Sequence, residues 1–295
     1  MANRSKDGVI LDKKDLEGLF KRLASRFAVY GFSKNGHEKT ICRASTLQEI
    51  DICNKNTNVS WKRHFFPQSE TMFSFDAMGA ALPAAEGQEI APPEQHVLFG
   101  VRPCDAMAIS LMDRVFISQD PQDPYYAKRR ARTVIITFAC LEPGSTCFCN
   151  SVGGNPDSET GTDLVFYELK DRYYIAAMTE QGAAILSAVA PKVKAATDKD
   201  EEEKQSAMAR AREKLERRFD AAVLAERLED FGAEIWETVH RKCLGCGICT
   251  YFCPTCHCFD VTDEVVKTHG RRVRTWDSCM FPLFTLHASG HNPRS

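Results

Sequence analysis

The sequence predicts an α+β or α/β N-terminal domain followed by a mainly helical C-terminal domain. Three observations support this prediction. Short apolar runs alternate with helical patterns over residues 1–191, apolar residues recur at helical spacing after residue 219, and a charge-dense segment separates the two parts. We therefore expect domains at 1–191 and 219–295, joined by a charged helical linker at 192–218.

The N-terminal domain is predicted to begin with a helix. Asp12 can cap its start, because an aspartate oxygen can accept from the first free backbone N–H groups. The apolar face of this helix consists of Leu16, Leu19, Phe20 and Leu23. Two strand-like runs follow at 27–32 and 40–43, and the turn-forming residues 33–36 connect them.

The centre of this domain is predicted to be a βαβ unit. The apolar runs 96–101 and 133–138 have the length and composition of buried strands, and Pro103 stands where a helix between them can begin. Strand, helix and strand in this order favour two parallel strands. A hairpin and a closing helix complete the domain, at 163–169 with 172–177 and then at 179–189.

The C-terminal domain is predicted to open with an amphipathic helix. Its apolar residues recur at spacings of three or four: Leu224, Leu228, Phe231, Ile235 and Val239. Core packing explains such a stripe without any functional role. The helix leads the chain directly to Cys243.

Composition and charge exclude several classes of protein. The 295 residues are 43% hydrophobic and 26% charged, as in a globular protein, and the formal net charge of −2 provides no basic field for binding nucleic acid. No run approaches the roughly 18 apolar residues of a spanning helix, and the N-terminus lacks the apolar region of a secretory signal. We therefore expect a cytoplasmic protein that neither binds nucleic acid nor inserts into a membrane.

Cysteine is the unusual component of this sequence. The chain has 13 cysteines, and six of them lie between Cys243 and Cys258. An odd number cannot form a fully paired disulfide framework. In a reducing compartment, clustered cysteines are metal ligands or redox groups more often than bridges.

Residues 243–254 follow the pattern C-x2-C-x2-C-x3-C-P of bacterial ferredoxins, which predicts a ferredoxin-like domain with a 4Fe–4S cluster. The predicted ligands are Cys243, Cys246, Cys249 and Cys253. The two glycines at 245 and 247 allow unusual backbone angles and leave amides that can donate to sulphur. Zinc is the alternative, but zinc sites usually separate their two cysteine pairs by a dozen or more residues.

Further cysteines could take part in metal binding. Cys256, Cys258 and Cys279 could be ligands or could pack near a cluster. Four others lie just beyond the carboxyl ends of two predicted strands: Cys104, Cys140, Cys147 and Cys149. Parallel strands present these ends at one edge of a sheet, so the four thiolates can converge on a second cluster. Taken singly, each is also explained as a small buried side chain.

The chain resembles the beta subunit of cytoplasmic nickel–iron sulfhydrogenases and the related A subunit of anaerobic sulphite reductases. The resemblance is carried by residues 66–71, 100–105, 123–126, 147–149, 243–258 and 290–294. It implies an electron-transfer subunit with 4Fe–4S clusters, one to three in number here. It also implies a flavin-bearing reductase subunit, together with a catalytic subunit of the nickel–iron hydrogenase or sirohaem sulphite reductase type, as partners. We expect flavin on the partner rather than on this chain.

One departure from the family concerns the C-terminus. Family members continue into a second C-x2-C-x2-C-x3-C run, whereas this sequence ends at Ser295. We expect either a truncated sequence or a short form with rearranged ligands. The partners of Cys253 in a second cluster would then lie beyond Ser295, and Cys279 becomes a candidate fourth ligand for the first cluster.

Three alternative functions remain open. The first is the A subunit of an anaerobic sulphite reductase, the second a structural adaptor that binds zinc, and the third a subunit that holds its own flavin. No residue is predicted to be catalytic, because the sequence shows no nucleophile–base grouping, phosphate-binding loop or site with paired carboxylates.

Overall fold

The computed structural model describes residues 8–34, 40–52, 59–76, 78–79, 81, 94–190 and 193–293. The chain forms two compact units, and each is discontinuous in sequence. Unit 1 comprises Met1–Trp61, Pro93–Leu111 and Arg132–Ala221, and unit 2 comprises Lys62–Pro92, Met112–Ala131 and Ala222–Ser295. The sequence did not predict that two segments from the first half of the chain belong with the C-terminal residues.

The strands of the described residues are β1 (Val9–Asp12), β2 (Ala28–Phe32), β3 (Ile41–Arg43), β4 (Ser69–Asp76), β5 (His96–Val101), β6 (Thr133–Phe138), β7 (Leu164–Glu168), β8 (Arg172–Ala177), β9 (Lys194–Ala195), β10 (Phe259–Val266) and β11 (His269–Trp276). The α-helices are α1 (Leu16–Ala24), α2 (Lys62–Phe65), α3 (Pro103–Phe116), α4 (Pro124–Ala131), α5 (Glu180–Val189), α6 (Asp198–Glu213), α7 (Ala221–Leu228), α8 (Glu234–His240) and α9 (Ile248–Phe252).

Unit 1 is built on an eight-stranded mixed sheet in the order β3-β2-β5-β6-β7-β8-β1-β9. Strands β2, β5, β6 and β7 are parallel, whereas the remaining pairings are antiparallel. The predicted βαβ unit is confirmed as β5-α3-β6. Every residue of β5 and β6 is buried, as continuous apolar runs in a parallel sheet require.

Several other predicted elements of unit 1 are confirmed. The four apolar residues predicted for the first helix are the buried residues of α1. The predicted hairpin is formed by β7 and β8, with Leu164 opposite Ala177. The hydroxyl of Thr179 accepts from the backbone N–H of Gly182 at the start of α5. Strands β2 and β3 pair as predicted, although residues 35 and 36 of the turn between them lie outside the described residues.

The charge-dense segment forms α6, which belongs to unit 1. A capping box of Thr197 and Asp200 opens the helix. The buried Met208 packs in a cluster with Val165 and Tyr167 of the sheet. This helix therefore has one apolar face on the sheet and exposes most of its charges.

Unit 2 contains a three-stranded antiparallel sheet in the order β10-β11-β4. Cross-strand ion pairs support its hairpin, since Arg272 binds Asp263 at 2.7 Å and Arg271 binds Glu264 at 2.6 Å. The expectation of a mainly helical C-terminal domain is not confirmed, because strands as well as helices follow residue 219. Alternating β-branched and charged residues suit an antiparallel hairpin better than a helix.

A buried ion network joins β4 to β11. Arg274 is only 1% exposed, and its Nε and Nη2 donate to Glu70 Oε1 at 2.9 and 2.5 Å. Arg129 donates to the other oxygen of Glu70 at 2.6 Å, and Asp123 binds Arg274 as well. All four charges are thereby paired, which a buried ion requires.

The predicted single helix over residues 224–239 is wrong. The segment forms two helices, α7 and α8, and the break contains Phe231 and Gly232. The side chain of Asp230 accepts from Gly232 N–H at 3.0 Å, and its carbonyl accepts from the Trp236 indole at 2.7 Å. Aspartate and glycine are weak helix formers, and these local hydrogen bonds compete with the helix. All five residues of the predicted stripe are exposed, and Phe231 is 88% exposed.

Candidate metal centres

No cysteine in the described residues forms a disulfide bond. The predicted ligands occur in both units. Unit 1 contains Cys104, Cys140, Cys147 and Cys149, which we call the N-terminal thiol group. Unit 2 contains Cys243, Cys246, Cys249, Cys253, Cys256, Cys258 and Cys279.

The first three cysteines of the ferredoxin-type run lie on an exposed loop and on the start of α9. Cys243, Cys246 and Cys249 are all exposed. The N–H of Gly245 donates to the Cys243 sulphur at 3.4 Å. Such amide donors stabilise a thiolate and tune a metal centre.

Two glycines give this loop its path. Gly245 has φ +65° and Gly247 has φ +68°, a region that favours glycine. A Cβ atom at Gly247 would lie 2.8 Å from the Phe281 ring, whereas a Cβ at Gly245 would meet nothing within 4 Å. Both conformation and space therefore favour glycine at 247.

The remaining cysteines of unit 2 interact in pairs. The Cys253 sulphur lies 3.2 Å from the Thr255 hydroxyl. Burial alone would raise the pKa of the Cys253 thiol, but hydrogen bonds from Thr255 and Cys256 hold this pKa below its ordinary value. Burial and a hydrogen bond to Cys253 raise the pKa of the Cys256 thiol. The structure thus brings Cys253 and Cys256 together.

A second pair is formed by Cys258 and Cys279. Burial raises the pKa of the Cys258 thiol, a backbone hydrogen bond from Cys279 opposes this increase, and the charge of the Cys279 thiol adds to it. The backbone N–H of Asp277 donates to the Cys258 carbonyl at 3.0 Å, which connects the two segments. Cys279 therefore lies beside Cys258, a neighbour that the sequence spacing did not indicate.

Within the described ranges, no three His, Cys, Asp or Glu side chains are close enough to hold a single metal ion. A tetrahedral zinc ion draws all its sulphurs to about 2.3 Å from one atom. A cuboidal cluster spaces its cysteine sulphurs more widely, because each sulphur binds a different iron atom. The donor set of thiols, loop amides and flexible glycine backbone fits such a cluster.

Two members of the N-terminal thiol group, Cys104 and Cys140, lie at the carboxyl edge of the parallel strands. Cys104 is the second residue of α3, immediately after β5, and Cys140 follows β6. The backbone N–H of Cys140 donates to the carbonyl of Pro156 at 2.8 Å, and the carbonyl of Cys149 accepts from the N–H of Gly154 at 2.9 Å. These backbone bonds fix the loops that carry Cys140 and Cys149.

Electrostatic interactions connect the members of this group. Burial raises the pKa of the Cys104 thiol well above its ordinary value, with added negative charge from Asp105 and then from Cys149, Cys140 and Cys147. Cys104 nevertheless keeps exposed surface. Burial also raises the pKa of the Cys140 thiol, and the positive charge of Arg102 opposes this increase.

A cavity of about 570 Å³ lies at this edge of unit 1. Its wall includes Arg102, two residues before Cys104, and Ala139 and Leu141, which flank Cys140 in the chain. The cavity therefore lies at the strand ends where open α/β sheets hold ligands, although none of the four cysteines of the N-terminal thiol group lines it.

Lys62 is a residue of the unit 2 site that the sequence reasoning missed. It begins α2, is only 3% exposed, and donates to the carbonyls of Thr250 and Cys256 at 3.2 and 3.0 Å. The signal in the sequence was a lysine beside Trp61 in an aromatic-rich segment. A buried charge in such surroundings needs a partner, and none was visible without the fold.

The comparisons with known proteins agree with this donor set. Residues 242–295 match the family described as a 4Fe-4S dicluster domain. The chain is 31% identical over 281 residues to sulfhydrogenase 2 subunit beta of Pyrococcus furiosus, a match that covers 93% of this chain and 80% of that protein. The chain belongs to the sulfhydrogenase beta-subunit family. The resemblance to the sulfhydrogenase beta subunit is therefore confirmed.

This membership makes the chain an iron–sulphur protein of a hydrogenase-subunit family, with a 4Fe–4S dicluster domain at its C-terminus. In the part of the chain that the structure describes, no helix combines the length and the apolar character needed to cross a bilayer.

Proposed function

We propose that this chain is an electron-transfer subunit of a cytoplasmic oxidoreductase. It relays electrons from a flavin-bearing reductase subunit to a catalytic subunit of the nickel–iron hydrogenase type, or in the reverse direction. The observation that carries this proposal is the cysteine run of residues 243–253 inside the region that matches the dicluster domain. The name of the related protein, sulfhydrogenase 2 subunit beta, supports the hydrogenase assignment.

The proposed ligands of the first C-terminal cluster are Cys243, Cys246 and Cys249, with Cys253 or Cys279 in the fourth position. Cys256 and Cys258 are candidates for a neighbouring cluster, since they lie beside Cys253 and Cys279. The N-terminal thiol group is the proposed site of a further cluster. Its mutual electrostatic effects and its place at the strand ends support this assignment.

A bound 4Fe–4S cluster supplies one-electron chemistry at a potential set by its surroundings. The residues of this chain hold the thiolates, donate hydrogen bonds to them and place charges beside them. The Gly245 N–H that reaches the Cys243 sulphur is one such donor. The Arg102 guanidinium near Cys140 offsets part of the negative charge of the N-terminal thiol group.

Metal and sulphide analysis of anaerobically purified protein tests the cluster assignment. We expect a brown protein with iron and acid-labile sulphide in near-equal amounts. A colourless protein that holds zinc would refute the proposal and favour a structural adaptor. Denaturation should release no yellow chromophore, and a released flavin would move the flavin site onto this chain.

Serine variants test the two sites separately. We expect Cys246→Ser to remove the C-terminal signal in the electron paramagnetic resonance spectrum, and Cys147→Ser to remove another. Cys42→Ser is the matched control, because Cys42 is half-buried on β3 and packs against the core of unit 1. If Cys147→Ser retains all the iron of the wild type, the N-terminal cluster does not exist.

Co-purification from the native host tests the partners. A flavin-bearing subunit should accompany this chain, together with a hydrogenase large subunit. Recovery of a sirohaem protein instead would assign the chain to a sulphite-reducing complex.

A further inference from the structure

Lys62 places a buried ammonium among the C-terminal thiols. Its side chain is enclosed in unit 2, and the contacts that hold it come from three different parts of that unit. Its Nζ lies 4.3 Å from the centre of the Trp276 ring. Two carbonyls and an aromatic face are suitable partners for an ammonium group.

The two carbonyls bracket Cys253. Thr250 lies three residues before this cysteine, on α9, and Cys256 lies three residues after it. Lys62 therefore ties both ends of the segment that presents Cys253. This arrangement positions a predicted ligand through the backbone on either side of it.

The charge of Lys62 acts on the same thiols. Its Nζ donates to the backbone carbonyl of Cys256, so the ammonium lies beside the segment that carries Cys253, Cys256 and Cys258. In a buried site the attraction between such charges is screened less than at the surface.

From these contacts we infer that Lys62 is a positioning residue that raises the reduction potential of the cluster bound through Cys253. The reason is that the reduced cluster carries one more negative charge than the oxidised cluster, and a buried cation stabilises that charge. This inference rests on the proposed function, because it requires a cluster at Cys253.

Two neutral variants separate the charge of Lys62 from its hydrogen bonds. Lys62→Met removes both, whereas Lys62→Gln keeps donors for the two carbonyls. The readout is a redox titration followed by electron paramagnetic resonance on the anaerobic protein. We expect both variants to lower the ratio of reduced to oxidised cluster at least tenfold at a given potential, which is about 59 mV for a one-electron couple.

Lys242→Met is the matched control. It removes the same charge next to Cys243, but Lys242 is exposed, so solvent screens it. In this control, the ratio of reduced to oxidised cluster at a given potential should change less than threefold. Lys62→Arg, which keeps a positive charge, should remain within threefold of the wild type.

The outcomes distinguish the inference from the proposed function. A wild-type protein without any iron–sulphur signal would refute the proposed function itself. A wild-type signal whose potential is unchanged in Lys62→Met and Lys62→Gln would overturn only the role of Lys62. If the neutral variants lose the cluster while Lys62→Arg keeps it, the charge is required at this position. Loss of the cluster in Lys62→Met, Lys62→Gln and Lys62→Arg alike would overturn the inference.

Discussion

Substituting Glu70 by glutamine tests the buried ion network of unit 2. The change removes the negative charge from a side chain that is 6% exposed and that binds two arginines. Within the described residues, Arg274, at 1% side-chain exposure, would keep Asp123 alone as a charged partner. Breaking a buried ion pair on one side costs about 3 to 5 kcal/mol, because the remaining charge stays buried without full compensation.

The assay is urea unfolding followed by tryptophan fluorescence, because Trp276 is two residues from Arg274 and reports on the same sheet. Glu264→Gln is the matched control. It removes the same kind of charge from an arginine partner on β11, but that pair is about half exposed. Exposed pairs contribute between 0 and about 1 kcal/mol.

The double variant Glu70→Gln with Arg274→Met sharpens this test. In the double variant, no arginine charge at position 274 stays buried without full compensation. The double variant should therefore lose less stability than the sum of the two single changes. Equal losses in Glu70→Gln and Glu264→Gln, both below about 1 kcal/mol, would refute the reasoning.

Two further predictions concern local backbone and pH. Gly247→Ala should lower thermal stability and iron content more than Gly245→Ala, because only the first adds a clash with Phe281; equal effects would contradict this. Hydrogen bonds from Thr197 hold the pKa of Asp200 below its ordinary value. Its contribution to stability is therefore present above the unfolded pKa and lost as pH falls through the lower folded pKa. Urea unfolding should show Asp200→Asn less stable than wild type at pH 7, with a gap that closes below about pH 4.

Local patterns predicted the centre of unit 1 correctly. Continuous apolar runs specified β5 and β6, and the helical spacing of four buried residues specified α1. These signals lie within a few residues of one another, so no knowledge of distant segments is needed to interpret them.

Local patterns do not specify the structure where contacts between distant segments decide it. The apolar stripe at 224–239 has helical spacing, yet it forms α7 and α8 with a break at Phe231 and Gly232. Strand β11 takes β4 as its second neighbour, a pairing between segments about two hundred residues apart. The buried partner of Arg274, Glu70, lies 204 residues away in the chain. The spacing of apolar residues within a short stretch of sequence cannot predict such a contact.

The sequence by itself determined the spacing of the proposed ligands at residues 243–253, because one short loop must present them to a single cluster. It also placed Cys104 and Cys140 at the ends of neighbouring strands. Only the tertiary structure decided that Cys258 lies beside Cys279 and that the ammonium of Lys62 lies among the C-terminal thiols. Ligand spacing is a property of local chain geometry, whereas the charge beside a ligand depends on which distant segments pack around it.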